Sequence, residues 1–319
     1  MLKLEKLTPE MFPDVDALTS EGFGARFPEK LKRKVFFTHG WSGDEGFGYG
    51  LSDSGKLVGL MGMIFSTRTF AGVTHRFCNL HSWYVKPEYR SRSLALLKPL
   101  MDLREHVITD FTASKEVGTI SKRLGFSSLD NSAVILAPYA WSGKSDAELI
   151  DLSGATPAGI ESLDEAQAKI YRDHQNLDCQ FLLVRTRTET CFVVYSKIDR
   201  HLFPHALVHY LSHPALFAAE HAAIRHRLMR RTGGRYVVVE SRMANGLRIP
   251  RSFTVFANEK FCRLPQPLEM TIDTLYSEVA IMKLSVLPTF PQRIRRLISP
   301  YVPEPILQRI QSSLAAFRR

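Results

Sequence analysis

Apolar and polar positions along this chain change period several times, and each change marks an element. Leu2, Leu4 and Leu7 alternate with polar and charged residues, the two-residue period of a short strand. Thr8-Pro9-Glu10 then opens a helical pattern that runs to Phe23, with proline in the first turn, where its missing N–H is not needed. A second helix is expected over residues 29–37. The runs GYGLSDSGKLVGLMGMIFSTRTF and VTHRFCNLHSWYV follow, broken by Asp53-Ser54-Gly55-Lys56 and by Ala71-Gly72. Turn residues between such apolar or alternating runs predict an antiparallel meander of three strands.

Over residues 93–104, Leu94, Leu97, Leu100, Met101 and Leu103 recur at helical spacing, and Pro99 predicts a kink among them. A strand is expected over 107–114, a helix over 115–126 that stops at Gly125, and a strand over 133–139. The order is β-α-α-β-β-β-α-β-α-β. A polar connector rich in Ser, Gly and Asp leads to a second unit with strands at 180–187, 190–196 and 206–211. A helix from Pro214 to about Arg231 and the strand RYVVVESR complete it. LSHPALFAAEHAAIRHRL followed by YVVVES repeats the strand, proline, helix, strand order of YVKPEYRSRSLALLKPLM followed by VITDFTAS, which points to an internal duplication. Beyond residue 284, Pro288, Pro291, Pro300, Pro303 and Pro305 introduce a tail that ends in the amphipathic stretch PILQRIQSSLAAFRR. Docking on the protein's own surface is its expected use, with peripheral membrane contact as the alternative. The expected organisation is a first domain at 1–140, a linker at 141–156, a second, degenerate domain at 157–284 and a basic, proline-rich tail at 285–319.

Composition narrows this picture. A chain of 319 residues fits two domains, and a 45% hydrophobic share without any run long enough to span a bilayer fits a cytoplasmic protein. The first residues lack the apolar core of a signal peptide. Cys78, Cys179, Cys191 and Cys262 form no C-x-x-C pair, so neither a metal knuckle nor a disulfide framework is expected. His201, His205, His209, His213 and His221 fall four or eight residues apart, with His226 next. No carboxylate accompanies them at ligand spacing, so no metal is expected. A net charge of +10 favours an anionic partner. Nucleic acid is not expected, because no basic face interleaved with aromatics is present.

The chemistry concentrates in SWYVKPEYRSRSLALLKPL, residues 82–100. A helix start exposes unpaired N–H groups and the positive end of its dipole, which attract phosphate. The loop Arg90, Ser91, Arg92, Ser93, Leu94 and Ala95 would wrap its backbone amides around a pyrophosphate, with guanidinium donors added by the two arginines and hydroxyl donors by the two serines. The stretch resembles the pyrophosphate loop of the GCN5-related N-acetyltransferases, in which Gln or Arg, two residues, Gly, one residue, and Gly or Ala lie between the fourth strand and the third helix. Arg90 fills the first position and Ala95 the last, and Ser93 stands where the family usually has glycine. VKPEYR is similar to the family's strand exit, and ISKRLGF to its segment before the sixth strand.

The resemblance covers about the first 140 residues and, more faintly, the second unit. It implies an α/β fold, a mixed and mostly antiparallel sheet flanked by helices, in two related domains. It also implies acetyl-CoA or another acyl-CoA as co-substrate in the splay between the fourth and fifth strands. Backbone groups of Trp83, Tyr84 and Val85 would hold the pantetheine and thioester, and a small-molecule amine or amino sugar would attack directly. Ser121 occupies the position at which the family often has an acidic tyrosine. His81, on the fourth strand just before the thioester site, is the candidate base, because imidazole titrates near neutrality. It shares a face with Asn79 and Trp83 if the strand alternates regularly, and a bulge would break that parity. Cys78 reads as core. The second unit has no counterpart to residues 90–95; it would shape the acceptor site or form a homodimer. The alternative function is a non-catalytic CoA-sensing or scaffold protein of the same fold.

Overall fold

In the computed structural model, which describes residues 2–24, 27–70, 72–138, 145–154, 160–199, 203–266 and 270–289, the chain builds two seven-stranded sheets. The terminal amphipathic stretch, Tyr139, His201 and residues 141–144 and 155–156 of the expected linker lie outside the described residues. The first half begins with β1 (Leu2–Lys6), α1 (Phe12–Phe23) and α2 (Glu29–Arg33), the last extended by a π-turn over Lys34–Thr38. The meander follows as β2 (Gly48–Asp53), β3 (Lys56–Phe70) and β4 (Val73–Val85). Ser54 and Gly55, at φ 52° and 81°, form the two-residue turn that pairs Asp53 with Lys56. Then come β5 (His106–Asp110), α3 (Lys115–Arg123), β6 (Ser127–Ser128) and β7 (Ser132–Leu136).

The second half contains β8 (Glu148–Asp151), α4 (Glu165–His174), β9 (Gln180–Arg185), β10 (Thr190–Ile198) and β11 (His205–Leu211). It continues through α5 (Pro214–Ala219), α6 (His221–Thr232), β12 (Val237–Glu240), β13 (Ser252–Phe256), β14 (Phe261–Arg263) and α7 (Glu278–Met282). The single helix expected from Pro214 is thus two helices divided at Glu220.

The sheets share one plan. The first runs β1-β2-β3-β4-β5-β14-β6 and the second, from its far edge, β8-β9-β10-β11-β12-β7-β13. In each, the fourth and fifth strands form a parallel pair. In each, the next strand comes from the other half: β14 lies between β5 and β6, and β7 lies between β12 and β13. The strand expected at 133–139 as the close of the first unit therefore sits in the second sheet.

A second departure is the segment after β4. It is a 3-10 helix over Pro87–Met101 where an α-helix over 93–104 was expected. The Pro99 ring would meet the carbonyl of Ala95 in α geometry, and the Leu94, Leu97, Leu100 spacing of three matches the 3-10 period.

The halves are joined by a common core. Phe12, Val15, Phe36, Leu60 and Ile64 of the first pack with Ile170, Tyr171, Phe181, Phe192 and Tyr276 of the second. A buried ion pair adds to it, Arg68 on β3 donating to Asp273 at 2.9 Å. On the opposite face of the first sheet, Met61, Met63, Cys78, Leu97, Leu100 and Phe126 pack with Phe261 of β14. Gly118 of α3 faces the same ring, and a Cβ at this position would lie 2.6 Å from Phe261 Cζ. Gly118→Ala is therefore expected to destabilise the protein by about 1–3 kcal/mol in urea melts, despite alanine's better helix propensity. Unchanged or increased stability would contradict the packing of β14 beneath α3.

Candidate functional site

The parallel pairing of β4 with β5 stops at Leu80 and Asp110. β4 continues to Val85 beside β3, while the chain leaves β5. From His81 onward, the edge of β4 that faced β5 has no strand neighbour among the described residues. A bulge marks the same point: Gly62 pairs with His81 but Leu60 with Tyr84, leaving one extra residue on β4. Ser82 takes it up at φ 52°, bending the strand and re-aiming the side chains beyond it. A cavity of about 210 Å³ lies beside the opened edge. Met61, Leu80, Leu97, Leu100, Ile120 and Phe126 supply much of its apolar wall, and Ser82, Asp110, Thr112 and Ser121 are among its polar groups.

His81, Trp83 and Ser121 of the expected site meet here, whereas Tyr84, Val85 and the loop at 90–95 do not line the cavity. His81 and Trp83 line the cavity from β4, and Ser121 lines it from α3. The His81 ring is buried, lies edge-on to Phe36 with centroids 4.7 Å apart, and has Nδ1 3.1 Å from Ser82 Oγ. It fits because Gly62 is opposite, where a Cβ would stand 2.2 Å from the ring. Burial, with His39 nearby, lowers its pKa to about 3, so it is neutral and weakly basic. Tyr84 donates from its hydroxyl to Glu21 Oε1 at 2.8 Å, and Val85 is buried.

None of Arg90, Ser91, Arg92, Ser93, Leu94 or Ala95 lines the cavity. They lie within the 3-10 segment, where amides are directed along the axis to carbonyls three residues earlier. Ser93 is half-buried and the others are exposed. Neither Arg90 nor Arg92 has an ion-pair partner among the described residues. The histidine run is dispersed as well. His205 stacks on Tyr236, His209 lies between Ser196 and Thr274, and His213 accepts the Leu216 N–H at the start of α5. Among the described residues, no three His, Cys, Asp or Glu side chains gather as a metal site.

Sequence reasoning missed two buried carboxyls. Asp110 ends β5 at the mouth of the splay and lines the cavity, and its Oδ1 accepts the Thr112 N–H at 3.3 Å. Burial, reinforced by the carboxyl of Glu278, raises its pKa to about 7. Glu278 opens α7, whose N-cap is Ser277. Its Oε1 accepts from Thr112 Oγ1 at 2.7 Å and its Oε2 accepts from Asn79 Nδ2. The Asn79 Oδ1 in turn accepts from Thr109 Oγ1 at 2.9 Å. An acid closing the apolar strand HVITD was a signal available for Asp110. Nothing nearby in the chain announces Glu278.

The second half holds a modified copy. β11 and β12 pair in parallel, and β11 has its own bulge, at His209, between the pairs Val208↔Tyr195 and Tyr210↔Val194. Glu240 ends β12 as Asp110 ends β5. Burial acts to raise the Glu240 pKa, but Lys260 at 2.8 Å and Arg242 outweigh it and hold the carboxyl below the usual range. Leu216, Phe217, Met243 and Ile249 are packed as core beside this strand pair.

No protein-family profile matches the sequence, and no curated protein is significantly similar to it. Solved structures are similar. One is a GCN5-related N-acetyltransferase from Anabaena variabilis (TM-score 0.57, 11% identity, covering 83% of this chain and 73% of that one). Another, from Kribbella flavida, is also a GCN5-related N-acetyltransferase (TM-score 0.51, 17% identity, 83% and 71%). A third is a GCN5-related glucosamine N-acetyltransferase region of a fungal multi-domain β-N-acetylglucosaminidase (TM-score 0.53, 12% identity, 82% and 38%). With the strand order and the splay already described, these likenesses identify the fold as that of the GCN5-related N-acetyltransferases, in two related halves.

Proposed function

We propose that this protein transfers an acyl group from an acyl-CoA thioester to an amine, using the first half as the reaction site. The observation that carries this reading is the unpaired edge of β4 beside a cavity that holds a carboxyl group titrating near neutrality. An extended pantetheine arm can bond to the free N–H and C=O groups around Trp83, Tyr84 and Val85 as an added strand would. The 3-10 segment offers few open amides, so the phosphate charge falls to the exposed side chains of Arg90 and Arg92. An acyl-CoA supplies an activated carbonyl carbon and a thiolate leaving group. The amine nitrogen attacks that carbon, its proton passes to Asp110, the C–S bond breaks and the thiolate departs. Asp110 suits proton acceptance better than His81, because a base is most effective when its pKa lies near the working pH. Ser121 stands at the cavity as a hydroxyl donor for the departing sulfur.

We read the two halves as units at 1–140 and 157–284 that exchange a strand. The acceptor class is a small amine or amino sugar, in keeping with the glucosamine acylation named for the fungal neighbour. Four free, buried cysteines suit a reducing compartment such as the cytoplasm, and among the described residues no helix is long and apolar enough to cross a membrane.

In thermal melts, a hundredfold excess of acyl-CoA over its dissociation constant is expected to add about 2.7 kcal/mol of stability. Free thiol should then appear when amines are supplied. Arg90→Ala with Arg92→Ala is expected to weaken acyl-CoA binding at least tenfold without lowering the melting temperature of the free protein. Absence of any shift with acetyl-, succinyl- and long-chain acyl-CoA would remove the reading. One observation favours a second function, CoA sensing without chemistry: the amides of residues 90–95 are engaged within the 3-10 segment. Ligand-dependent melting without thiol release from any amine would select it.

A further inference from the structure

The reaction site proposed above lies in the first half, yet the buried polar chain beside it ends in the second. We propose that Glu278, from the second half, is a positioning residue that shares a proton with Asp110, so that one proton-accepting site is assembled from both halves. This rests on the acyl-transfer reading for its role in catalysis, but the pairing itself stands on geometry.

Thr112 joins the two carboxyls. Its backbone N–H donates to Asp110 Oδ1 at 3.3 Å and its hydroxyl donates to Glu278 Oε1 at 2.7 Å. Asn79 adds a second donor to Glu278, and Thr109 fixes the orientation of that amide by donating to its oxygen. Asp110 and Glu278 are 6% and 2% exposed, so water screens neither charge. Two such carboxyls cannot both ionise cheaply, and they titrate as a pair. The donors decide where the negative charge resides. Glu278 receives two side-chain hydrogen bonds that favour its anion, whereas Asp110 receives longer backbone contacts. As the pH falls, the shared proton therefore settles on Asp110, the member that lines the cavity, and above its midpoint Asp110 is the ionised acceptor.

The surrounding charges agree with this assignment. Burial raises the pKa of the Glu278 carboxyl, and its hydrogen bonds from Thr112 and Asn79 and then Lys260, just before β14, act against that rise; Lys260 is itself held by Glu240 of β12, which Arg242 also pairs. Among the described residues Asp110 has no basic partner of this kind; besides burial, the carboxylate of Glu278 is the charge that acts on it. The corresponding strand-end acid of the second half, Glu240, has both Lys260 and Arg242, and is kept ionised. One fold position thus carries a shared proton in one half and a clamped anion in the other. The difference is made by β14 and α7, segments of the second half that reach the first.

The experiment uses the full chain with Glu278→Gln, which keeps the shape and removes the charge. The Asp110 carboxyl is followed by carbon-13 NMR across pH, and the pH dependence of kcat/KM for thiol release is measured in parallel. Glu278→Gln is expected to lower the Asp110 midpoint by about one pH unit, a tenfold loss of proton affinity, and to move the acidic limb of the rate profile by the same amount. If that variant does not fold, Thr112→Val removes the bridging hydroxyl and must move the same midpoint. An unmoved midpoint overturns the proposal whatever the activity. A moved midpoint in a protein that releases no thiol supports the carboxyl pair and overturns the acyl-transfer reading alone. A moved midpoint with an unmoved rate profile overturns the catalytic role of the pair.

Discussion

Replacing Asp110 by Asn is expected to lower kcat/KM for amine acylation by about 10²–10³-fold while making the protein more stable above pH 7. The first effect is the usual contribution of a positioned general base. The second follows from linkage. The folded pKa of Asp110, about 7, lies above the ordinary 3.8, so the native state binds this proton more tightly than the unfolded chain. The associated stability is complete below about pH 3.8 and is lost as the pH rises through 7. By pH 8 the loss amounts to up to about 4 kcal/mol, which Asn does not incur. Urea melts at pH 6 and pH 8 check this: the wild-type protein should weaken between them more than the variant does. Full acylation rates in Asp110→Asn would show that proton acceptance lies elsewhere.

Acid should unfold this protein early, with a midpoint near pH 5. His39, His81, His174 and His209 are buried and neutral, with pKa values lowered to about 4, 3, 3 and 4, each chiefly by burial. Each folded value lies below the unfolded one of 6.5. The unfolded chain therefore gains protons first as the pH falls, and native stability drops from about pH 6.5 down to the folded values. Between pH 7 and pH 5 each histidine removes about 2 kcal/mol, and Asp110 returns about 2 kcal/mol by taking its proton in the folded state. The net loss of about 6 kcal/mol is comparable to the whole stability of many domains. Trp41 packs against His174 with ring centroids 4.8 Å apart, so its fluorescence and the far-ultraviolet dichroism should change together. Native dichroism retained at pH 4 would rule the expectation out.

What the sequence disclosed follows from the range over which each feature is encoded. The β2–β4 meander was readable because Ser54-Gly55 writes its turn locally and the strands alternate on either side. The resemblance rested on residues around β4 and α3, and the structure bears out the fold it implied. Regular alternation would have put Asn79, His81 and Trp83 on one face. The bulge at Ser82 instead sends Trp83 toward the Met61 and Leu97 core, while His81 meets Phe36 on the other side. The 3-10 segment was misread because its leucines satisfy both helical periods, and Pro99 decides between them. Glu278 could not be found from its neighbours, since its meaning depends on Thr112 and Asn79, each more than 160 residues away. β14 is only three residues long and carries no pattern that names its partner.

That short strand sets a schedule for synthesis. Ser128 must wait about 130 residues for Phe261 to be made, which at the usual 5–20 residues per second is roughly 7–26 s on the ribosome. Throughout that interval the emerging amino-terminal portion presents β5 with an open rim of backbone donors and acceptors, the kind of template on which other chains nucleate. Attendance by a chaperone, or a slow final docking phase in refolding, is the natural companion of such a topology.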